Sequence, residues 1–392
     1  MQPQALYDLS PALRLMAMGV VLALAPLAWV WLRNRQAAPQ RRLRALTVLT
    51  LFLTFDLVLF GAFTRLTDSG LGCPDWPGCY GNASPLGARH EIAQAQAAQP
   101  TGPVTHTKAW IEMLHRYLAT GVGVLILTLA LASWSARRRA ADLPFSLWWP
   151  FLTLAWVCAQ GAFGALTVTM KLFPAIVTLH LLGGIALLAL LCVQAVRYGQ
   201  AEAGRAAAAP ALAPGLRAGL WLCLGLVALQ IALGGWVSTN YAVLACNQFP
   251  TCQGSWWPPM DFVQGFEFWR PLGQLKDGNH ISFEALTAIH YVHRMVAGVV
   301  FAALGLLVWR LRRHGVLRVQ GRWLLGLALW QLGSGVGNVV LGWPLLAAVA
   351  HTGGAAAMVV VLTWALSASR PAARALGLAS VAPPRSVREA MP

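Results

Sequence analysis

Residues 112–123, EMLHRYLATGVG, and residues 289–298, IHYVHRMVAG, decide the fold because they show that one helix occurs twice. Each stretch carries a His-Arg pair, beginning at His115 in the first and at His293 in the second. In both halves of the chain a Cys-x5-Cys segment precedes this helix, and a helix with a lone histidine follows it. The chain is therefore an internal duplication, and each unit places two histidines on apolar helices.

The repeated features keep their register along the chain. The matching residues of the two units are Cys73 and Cys246, Cys79 and Cys252, Arg116 and Arg294, Gln160 and Gln331, and His180 and His351. The cysteines recur after 173 residues, and the last two pairs recur after 171. Four imidazoles in two pairs are what two bis-histidine cofactor sites in a helical bundle need.

The composition indicates an all-α polytopic membrane protein. Of 392 residues, 57% are hydrophobic, only 11% are charged and 18 are tryptophan, which excludes an ordinary soluble domain. Nine segments are long and apolar enough to cross a hydrocarbon core of about 30 Å as helices. They run approximately over 13–33, 44–65, 110–135, 147–169, 174–197, 217–238, 286–310, 322–341 and 344–368.

The net charge of +16 is distributed as a membrane topology signal rather than as a nucleic-acid surface. Arginines cluster in alternate loops: Arg33 to Arg44, Arg137 to Arg139, Arg197 to Arg217, Arg310 to Arg322 and the tail from Arg370. The positive-inside rule places these loops in the cytoplasm and the long loops 66–109 and 239–285 outside. The N-terminus is then periplasmic and the C-terminus cytoplasmic, and the first apolar segment is a retained helix rather than a cleaved signal.

The seven cysteines divide by location. Four lie in the outward loops, within GCPDWPGC (72–79) and ACNQFPTC (245–252), and only these are in an oxidising compartment. One disulfide per loop, Cys73–Cys79 and Cys246–Cys252, is the simplest account, with a four-cysteine metal site and a redox-active dithiol pair as alternatives. The three helix cysteines, Cys158, Cys192 and Cys223, are expected to be small apolar core residues.

The histidine pairs are the candidate cofactor ligands. His115 and His180 lie at similar depth near the outer surface, so a porphyrin between them could be ligated on both faces, and the same holds for His293 and His351. His290 lies three residues before His293 on nearly the same helix face. Because His293 has the matching arginine after it, we expect His293 to be the ligand and His290 to support the site without binding iron.

Charged residues near these histidines are further candidates. Glu112, which stands where the second unit has His290, lies one turn from His115, and its carboxylate is expected to overhang the same cofactor. Its other interpretation is an interfacial acid stabilised by the helix dipole. Arg65, Arg116 and Arg294 at outer helix ends suit haem propionates or snorkelling to head groups. Asp56 lies in the middle of a predicted span, where an acid is costly and is by default functional or paired.

Together these motifs resemble the haem A synthase family of bacteria and mitochondria. The segments that carry the resemblance are RLTDSGLGCPDWPGCYG (65–81), EMLHRYLATGVG, VTLHLLGGIALL (177–188), IHYVHRMVAG and AVAHTGGAA (348–356). The resemblance covers roughly residues 43–370. It implies two tandem four-helix bundles in parallel duplication, and an oxidoreductase that converts the C8 methyl of haem O to a formyl group by successive hydroxylations, giving haem A for cytochrome oxidase biogenesis.

The resemblance also implies roles for single residues. His115 and His180 would flank the iron of the substrate haem with Arg116 beside it, and His293 and His351 would ligate haem b. Glu112 matches the family's functional glutamate. The family implies haem O synthase, a farnesyltransferase, and terminal oxidase assembly as partners in a bacterial inner membrane, with a membrane electron donor and no nucleic acid; self-association is left open.

The resemblance divides the chain into segments. These are an extra N-terminal helix and cytoplasmic loop, which the family lacks (1–42), the substrate-haem bundle (43–200), an Ala/Pro-rich linker (201–216), the haem b bundle (217–370) and a cytoplasmic tail (371–392). Two other classes are considered. A di-haem cytochrome b that only transfers electrons would use four histidines but would not need Glu112. A transporter would also show a duplication, but its polar residues would lie at the midplane.

Overall fold

The computed structural model describes residues 10–139, 146–203 and 210–371. Within these ranges it contains nine helices long and apolar enough to span a membrane, and two short α-helices in the long loops 66–109 and 239–285. The spanning helices are α1 (Ser10–Asn34), α2 (Pro39–Leu66), α4 (His106–Arg139), α5 (Trp148–Thr169), α6 (Pro174–Ala203), α7 (Pro214–Thr239), α9 (Phe283–Arg313), α10 (Arg318–Val340) and α11 (Leu345–Ser367). The short ones are α3 (Arg89–Ala98) and α8 (Phe262–Gly265). The predicted all-α membrane fold is confirmed.

Most of the helices extend beyond their apolar segments because their ends carry residues that favour helix starts and stops. Prolines open α2, α6 and α7, where a missing N–H costs nothing. Ser282 caps α9 by accepting a hydrogen bond from the Ala285 N–H, 3.2 Å away. The last turns of α4 and α9 carry three arginines each, which favour the negative end of the helix dipole.

Four helices of each half pack in a closed ring. In the first half α2 contacts α4 and α6, and α5 contacts the same two; in the second half α7, α9, α10 and α11 repeat these contacts. The halves meet where α6 packs on α11, α2 on α11 and α6 on α7. Since α2 matches α7 and α6 matches α11 in the repeat, the last two contacts are equivalent. The halves are thus related by a pseudo-two-fold axis that passes between α6 and α11.

Helix α1 packs along α4 and joins the first half. Gly19 of α1 lies directly against the Thr120 side chain, so any larger residue would collide with it. Ala23 is buried in the same interface, and Leu15 packs with the residues under the first outer loop. Small residues that allow close backbone approach are the usual means by which membrane helices associate.

The end of the linker pairs with the end of α11, so this contact closes the second half on itself. Ala211–Leu212 pairs as a two-residue parallel strand with Arg370–Pro371, directly after α11. Residues 201–203 of the predicted linker belong to α6 and 214–216 to α7, whereas 204–209 lie outside the described residues. The predicted tail lies outside them from residue 372 onward.

Each outer loop closes on the same tight turn. Cys79 and Asn82 exchange backbone hydrogen bonds of 2.7 and 2.9 Å, and Cys252 and Ser255 exchange two of 3.0 Å. The two residues inside each turn have positive φ, and the second of them is glycine, Gly81 or Gly254. This is the turn type that glycine favours at the end of a hairpin.

Candidate functional site

The four repeated histidines face the interiors of the two helix rings, near their outer ends. His115 on α4 and His180 on α6 lie in the first ring, and His293 on α9 and His351 on α11 lie in the second. All four side chains are half-buried. The helices therefore bring together the two pairs that the repeat predicted.

A glycine on a neighbouring helix faces each imidazole. A Cβ added at Gly61 or Gly234 would lie 3.1 Å from the Cε1 atom of His115 or His293. At Gly164 of α5 it would lie 3.5 Å from the Cε1 atom of His180. At Gly335 of α10 it would lie 3.3 Å from the Cε1 atom of His351. Each imidazole therefore faces a glycine, where a larger side chain would collide with it. A flat, bulky ligand requires such freedom from side chains beside its ligating histidines.

Two repeated glutamines also lie against glycines of a neighbouring helix. The amide of Gln160 lies against Gly183, and the amide of Gln331 lies against Gly354, so that a Cβ at either glycine would overlap it. Gln331 Nε2 also donates to the His351 carbonyl at 2.8 Å. These repeated glutamines fill space beside the histidine helices in both halves.

The histidines of the two halves differ in their hydrogen bonds. In the first half Nδ1 of His115 and Nδ1 of His180 are buried without a partner. In the second half Ser334 Oγ lies 2.8 Å from His351 Nδ1, and Gln230 Nε2 lies 3.0 Å from His293 Nδ1. The Nδ1 atoms of the first half therefore lack the polar neighbours that those of the second half have.

These residues fit a haem in each half better than a bare metal ion. In each half two imidazoles lie in an apolar ring of helices with a glycine opposite each of them, an arrangement that suits axial ligation of a porphyrin. Among the described residues no group of three or more His, Cys, Asp or Glu side chains could hold a metal ion by itself. The four loop cysteines form two disulfides, Cys73–Cys79 and Cys246–Cys252.

Glu112 is buried, and its carboxylate turns toward the first outer loop. Oε2 accepts a 2.8 Å hydrogen bond from the Cys73 N–H, and Oε1 pairs with the guanidinium of Arg116 on the next turn. Nη1 of that guanidinium lies within hydrogen-bond distance of three loop carbonyls, those of Asp75, Pro77 and Gly78, and its two hydrogens are shared among them. Glu112 and Arg116 therefore attach the disulfide loop to the helix that carries His115.

The second half attaches its loop in a similar way, with a neutral residue in place of the acid. Arg294 donates to the carbonyls of Cys246 at 2.6 Å and Gln248 at 2.8 Å. His290 is buried, and its Nδ1 lies 3.0 Å from the Ala242 carbonyl oxygen. His290 is therefore occupied by the loop, whereas His293 faces the interior of the ring.

Arg65 lies at the junction of the halves. It donates to the Ser238 carbonyl at 2.5 Å and to Asp68 at 3.1 Å, and it stacks over the Tyr241 ring. The Tyr241 hydroxyl donates to Asp68 at 2.7 Å. In the repeat, Arg65 matches Ser238 and Asp68 matches Tyr241, so the network joins equivalent positions across the pseudo-two-fold axis.

Asp56 stands apart from both histidine pairs. Its side chain is exposed on α2, and it has no hydrogen bond or ion pair among the residues that the structure describes. Two of the three helix cysteines, Cys192 and Cys223, are buried as expected, whereas Cys158 is exposed. The expectation of a core position was wrong for Cys158.

Three residues beside the site were not singled out in the sequence. Gln230 and Ser334 stand where the first half has Leu57 and Phe163. Aligning the two units and noting the positions at which they differ would have found both residues. Arg270 is almost fully buried, at 1% exposure, and bonds Asn240 Oδ1 at 2.5 Å. A cationic residue in a loop carries no sequence signal for such burial.

Comparison with known proteins identifies relatives along most of the chain. The model of the COX15-CtaA family, described as cytochrome oxidase assembly protein, matches residues 44–363. A protein of Shewanella oneidensis named "Heme A synthase" is 39% identical over 325 residues, which cover 80% of this chain and 92% of the relative. Proteins of the same name from Alkalihalophilus pseudofirmus and Cereibacter sphaeroides are each 28% identical, covering 71% and 83% of this chain and 80% and 86% of the relatives.

The match begins at the start of α2 and ends inside α11, so it spans both histidine pairs and both disulfide loops and leaves out α1. Such coverage, with one relative well above 30% identity, leaves no doubt about descent. The chain belongs to the COX15-CtaA family of cytochrome oxidase assembly proteins.

Proposed function

We propose that this protein is a haem A synthase, which oxidises the C8 methyl of haem O to the formyl group of haem A for terminal oxidase assembly. The observation that carries the proposal is the pair of His–His sites in a chain of this family, of which one relative at 39% identity is named for that activity. A di-haem cytochrome b is not favoured, since the curated relatives are synthases.

The two halves would bind different haems. His293 and His351 would hold haem b, which supplies one-electron redox chemistry when bound. His115 and His180 would hold the substrate haem, with the methyl group oriented by the helix ring around it. The chain would hold one haem on each side of the contact between α6 and α11, and its helices would keep the reacting carbon out of bulk water.

Glu112 is the proposed catalytic carboxylate. It lies one helical turn before His115, and the second half has a histidine in its place. Its present partners, Cys73 N–H and Arg116, hold it at the outer end of the ring, where it could take up a proton as the methyl is oxidised. Arg116 and Arg294, each next to a site histidine in the chain, are the proposed candidates for propionate contacts. Arg65, the third candidate from the sequence, is bonded to the Ser238 carbonyl and Asp68 at the junction of the halves.

The proposed setting is a bacterial inner membrane with the disulfide loops on the periplasmic side. The arginine clusters at the opposite helix ends support this orientation. We assign the substrate to the N-terminal bundle (43–200) and haem b to the C-terminal bundle (217–370) because the resemblance to the family implies these roles. Haem O synthase upstream and a terminal oxidase downstream are the proposed partners.

Haem extraction from purified protein tests the function. We expect haem b together with haem O or haem A, and conversion of haem O in cells that also make haem O synthase. His351→Ala should remove haem b, whereas the matched variant His180→Ala should retain haem b and lose the substrate haem. Protein that contains haem b alone and never yields haem A would contradict the proposal in favour of a cytochrome, and colourless protein would contradict both.

A further inference from the structure

The two histidine sites share their glycines and glutamines but differ in what holds the imidazoles. We infer that Ser334 is a positioning residue that makes the C-terminal site a permanent haem site, and that Phe163, its counterpart, leaves the N-terminal site exchangeable. The inference rests on the proposed function, which requires one haem to stay and one to enter and leave.

The Ser334 hydroxyl defines the protonation of His351. Its Oγ donates to the Trp330 carbonyl, 2.7 Å away on the preceding turn of α10, and this uses its single proton. The contact of 2.8 Å with His351 Nδ1 must then be one in which Nδ1–H donates to the serine oxygen. The imidazole is thereby held in the tautomer whose Nε2 lone pair is free for iron.

His293, the other imidazole of this half, is also held. Gln230 Nε2 lies 3.0 Å from both the Nδ1 atom and the backbone carbonyl oxygen of His293. A carboxamide that bonds the backbone and touches the ring fixes the side chain against α7. Because Gln230 Nε2 can only donate and also lies 3.3 Å from the ring Nε2 of His293, it positions this ring without fixing its tautomer. His351 is the imidazole of this half whose Nδ1 has an accepting partner.

The N-terminal site lacks both partners at the equivalent positions. Phe163 replaces Ser334 and Leu57 replaces Gln230, and neither side chain can exchange a hydrogen bond with imidazole. Nδ1 of His180 and Nδ1 of His115 are accordingly buried without partners. The ring of Phe60 lies parallel to the His115 ring, with centroids 6.2 Å apart, so His115 is in contact with apolar surface instead.

The additional hydrogen bond lies in the half that is proposed to keep its haem permanently. A hydrogen bond to the far nitrogen orients the ring and makes it a more basic ligand, and losing such a partner typically costs about 10-fold to 100-fold in metal affinity. A haem that carries electrons benefits from that affinity. A substrate whose product must leave for another enzyme does not.

The experiment compares haem retention in matched variants. Ser334→Ala removes the hydroxyl, and Ser334→Thr keeps a hydroxyl at the same place. Each purified protein is mixed with excess apomyoglobin, and the transfer of haem b is followed by absorbance, together with the low-spin electron paramagnetic resonance signal and the midpoint potential. We expect Ser334→Ala to lose haem b about 10-fold to 100-fold faster than the parent protein, with a shifted signal, and Ser334→Thr to behave as the parent.

The reverse change tests the other half of the inference. Phe163→Ser places a hydroxyl beside His180, and we expect the purified variant to retain more haem O and haem A per polypeptide, with slower release to apomyoglobin. Wild-type retention and an unchanged signal in Ser334→Ala would overturn the inference, as would equal release from Phe163→Ser and the parent. Because the parent protein is assayed for haem A formation in parallel, failure of the proposed function would show there and not in these comparisons.

Discussion

At the residue scale, the duplication provides an internal control, because each position in one half has a counterpart in the other. The shared residues, the histidines and the glycines opposite them, give both halves the same pair of imidazoles on facing helices. The positions that differ, Glu112 with His290 and Phe163 with Ser334, are where the two halves acquire separate roles. Chemistry specific to one site should therefore depend on these positions.

Glu112 is the first residue on which this can be tested. Glu112→Gln keeps an oxygen to accept the Cys73 N–H but removes the charge, whereas Glu112→Ala removes both. We expect both variants to retain haem b and to accumulate haem O or its hydroxymethyl intermediate, because proton transfer by a positioned carboxylate is typically worth about 10²-fold to 10⁴-fold. Chromatography of haems extracted from cells measures the ratio of haem O to haem A.

The glutamine variant separates the two roles of this side chain. If Glu112→Gln makes haem A at the normal rate and only Glu112→Ala fails, the carboxylate serves to attach the loop rather than to move a proton. Loss of every haem from both variants would show that Glu112 is needed for folding or binding.

The choice between His290 and His293 is the second test at this scale. His290 is bonded to the Ala242 carbonyl, whereas His293 faces the ring interior beside Gln230. His293→Ala should abolish the low-spin haem b spectrum, and His290→Ala should keep bis-histidine ligation while weakening the loop contact. The opposite outcome in the absorption and electron paramagnetic resonance spectra would reassign the ligand.

At the element scale, the spanning helices were predictable and the loops were not. A bilayer forces every backbone polar group into helical hydrogen bonds, so apolar length alone located all nine spans within a few residues. The attachment of the loops depends on single guanidinium groups, Arg116 and Arg294, that bond carbonyls about 40 residues away in the chain. Nothing in the spacing or composition specifies that an interfacial arginine turns to a loop carbonyl rather than to a head group.

The two loop disulfides give a prediction for whole elements. Alkylation of unfolded, non-reduced protein followed by mass spectrometry should modify Cys158, Cys192 and Cys223 only, and prior reduction should add the four loop cysteines. Linkage between the loops, or four alkylated loop cysteines without reduction, would contradict the pairing. Since each bridge closes a short ring, its removal should loosen the loop more than it destabilises the whole protein.

At the scale of the whole molecule, the sequence predicted the duplication but not the way in which the halves meet. The repeat placed Arg65 at an outer helix end, where a propionate or a head group was the expected partner. In the structure it bonds the Ser238 carbonyl and Asp68 beside Tyr241, and these contacts join equivalent positions of the two halves. Which residues touch across the two units depends on how one unit is rotated relative to the other. The spacing of a repeat along the chain gives no information about that rotation.

The junction at Arg65 supports a final prediction. Arg65→Met keeps the length of the side chain and removes its hydrogen bonds, which for a charged donor contribute about 1.5–3 kcal/mol. We expect this variant to lose its haem b absorbance at a lower temperature in detergent, with an unchanged spectrum and unchanged haem content below the transition. Tyr241→Phe, which removes only the bond to Asp68, should lower the transition less. If Arg65→Met instead loses the substrate haem while its thermal transition stays at the parent value, Arg65 serves a propionate and the junction is held by the contacts of α6 with α11.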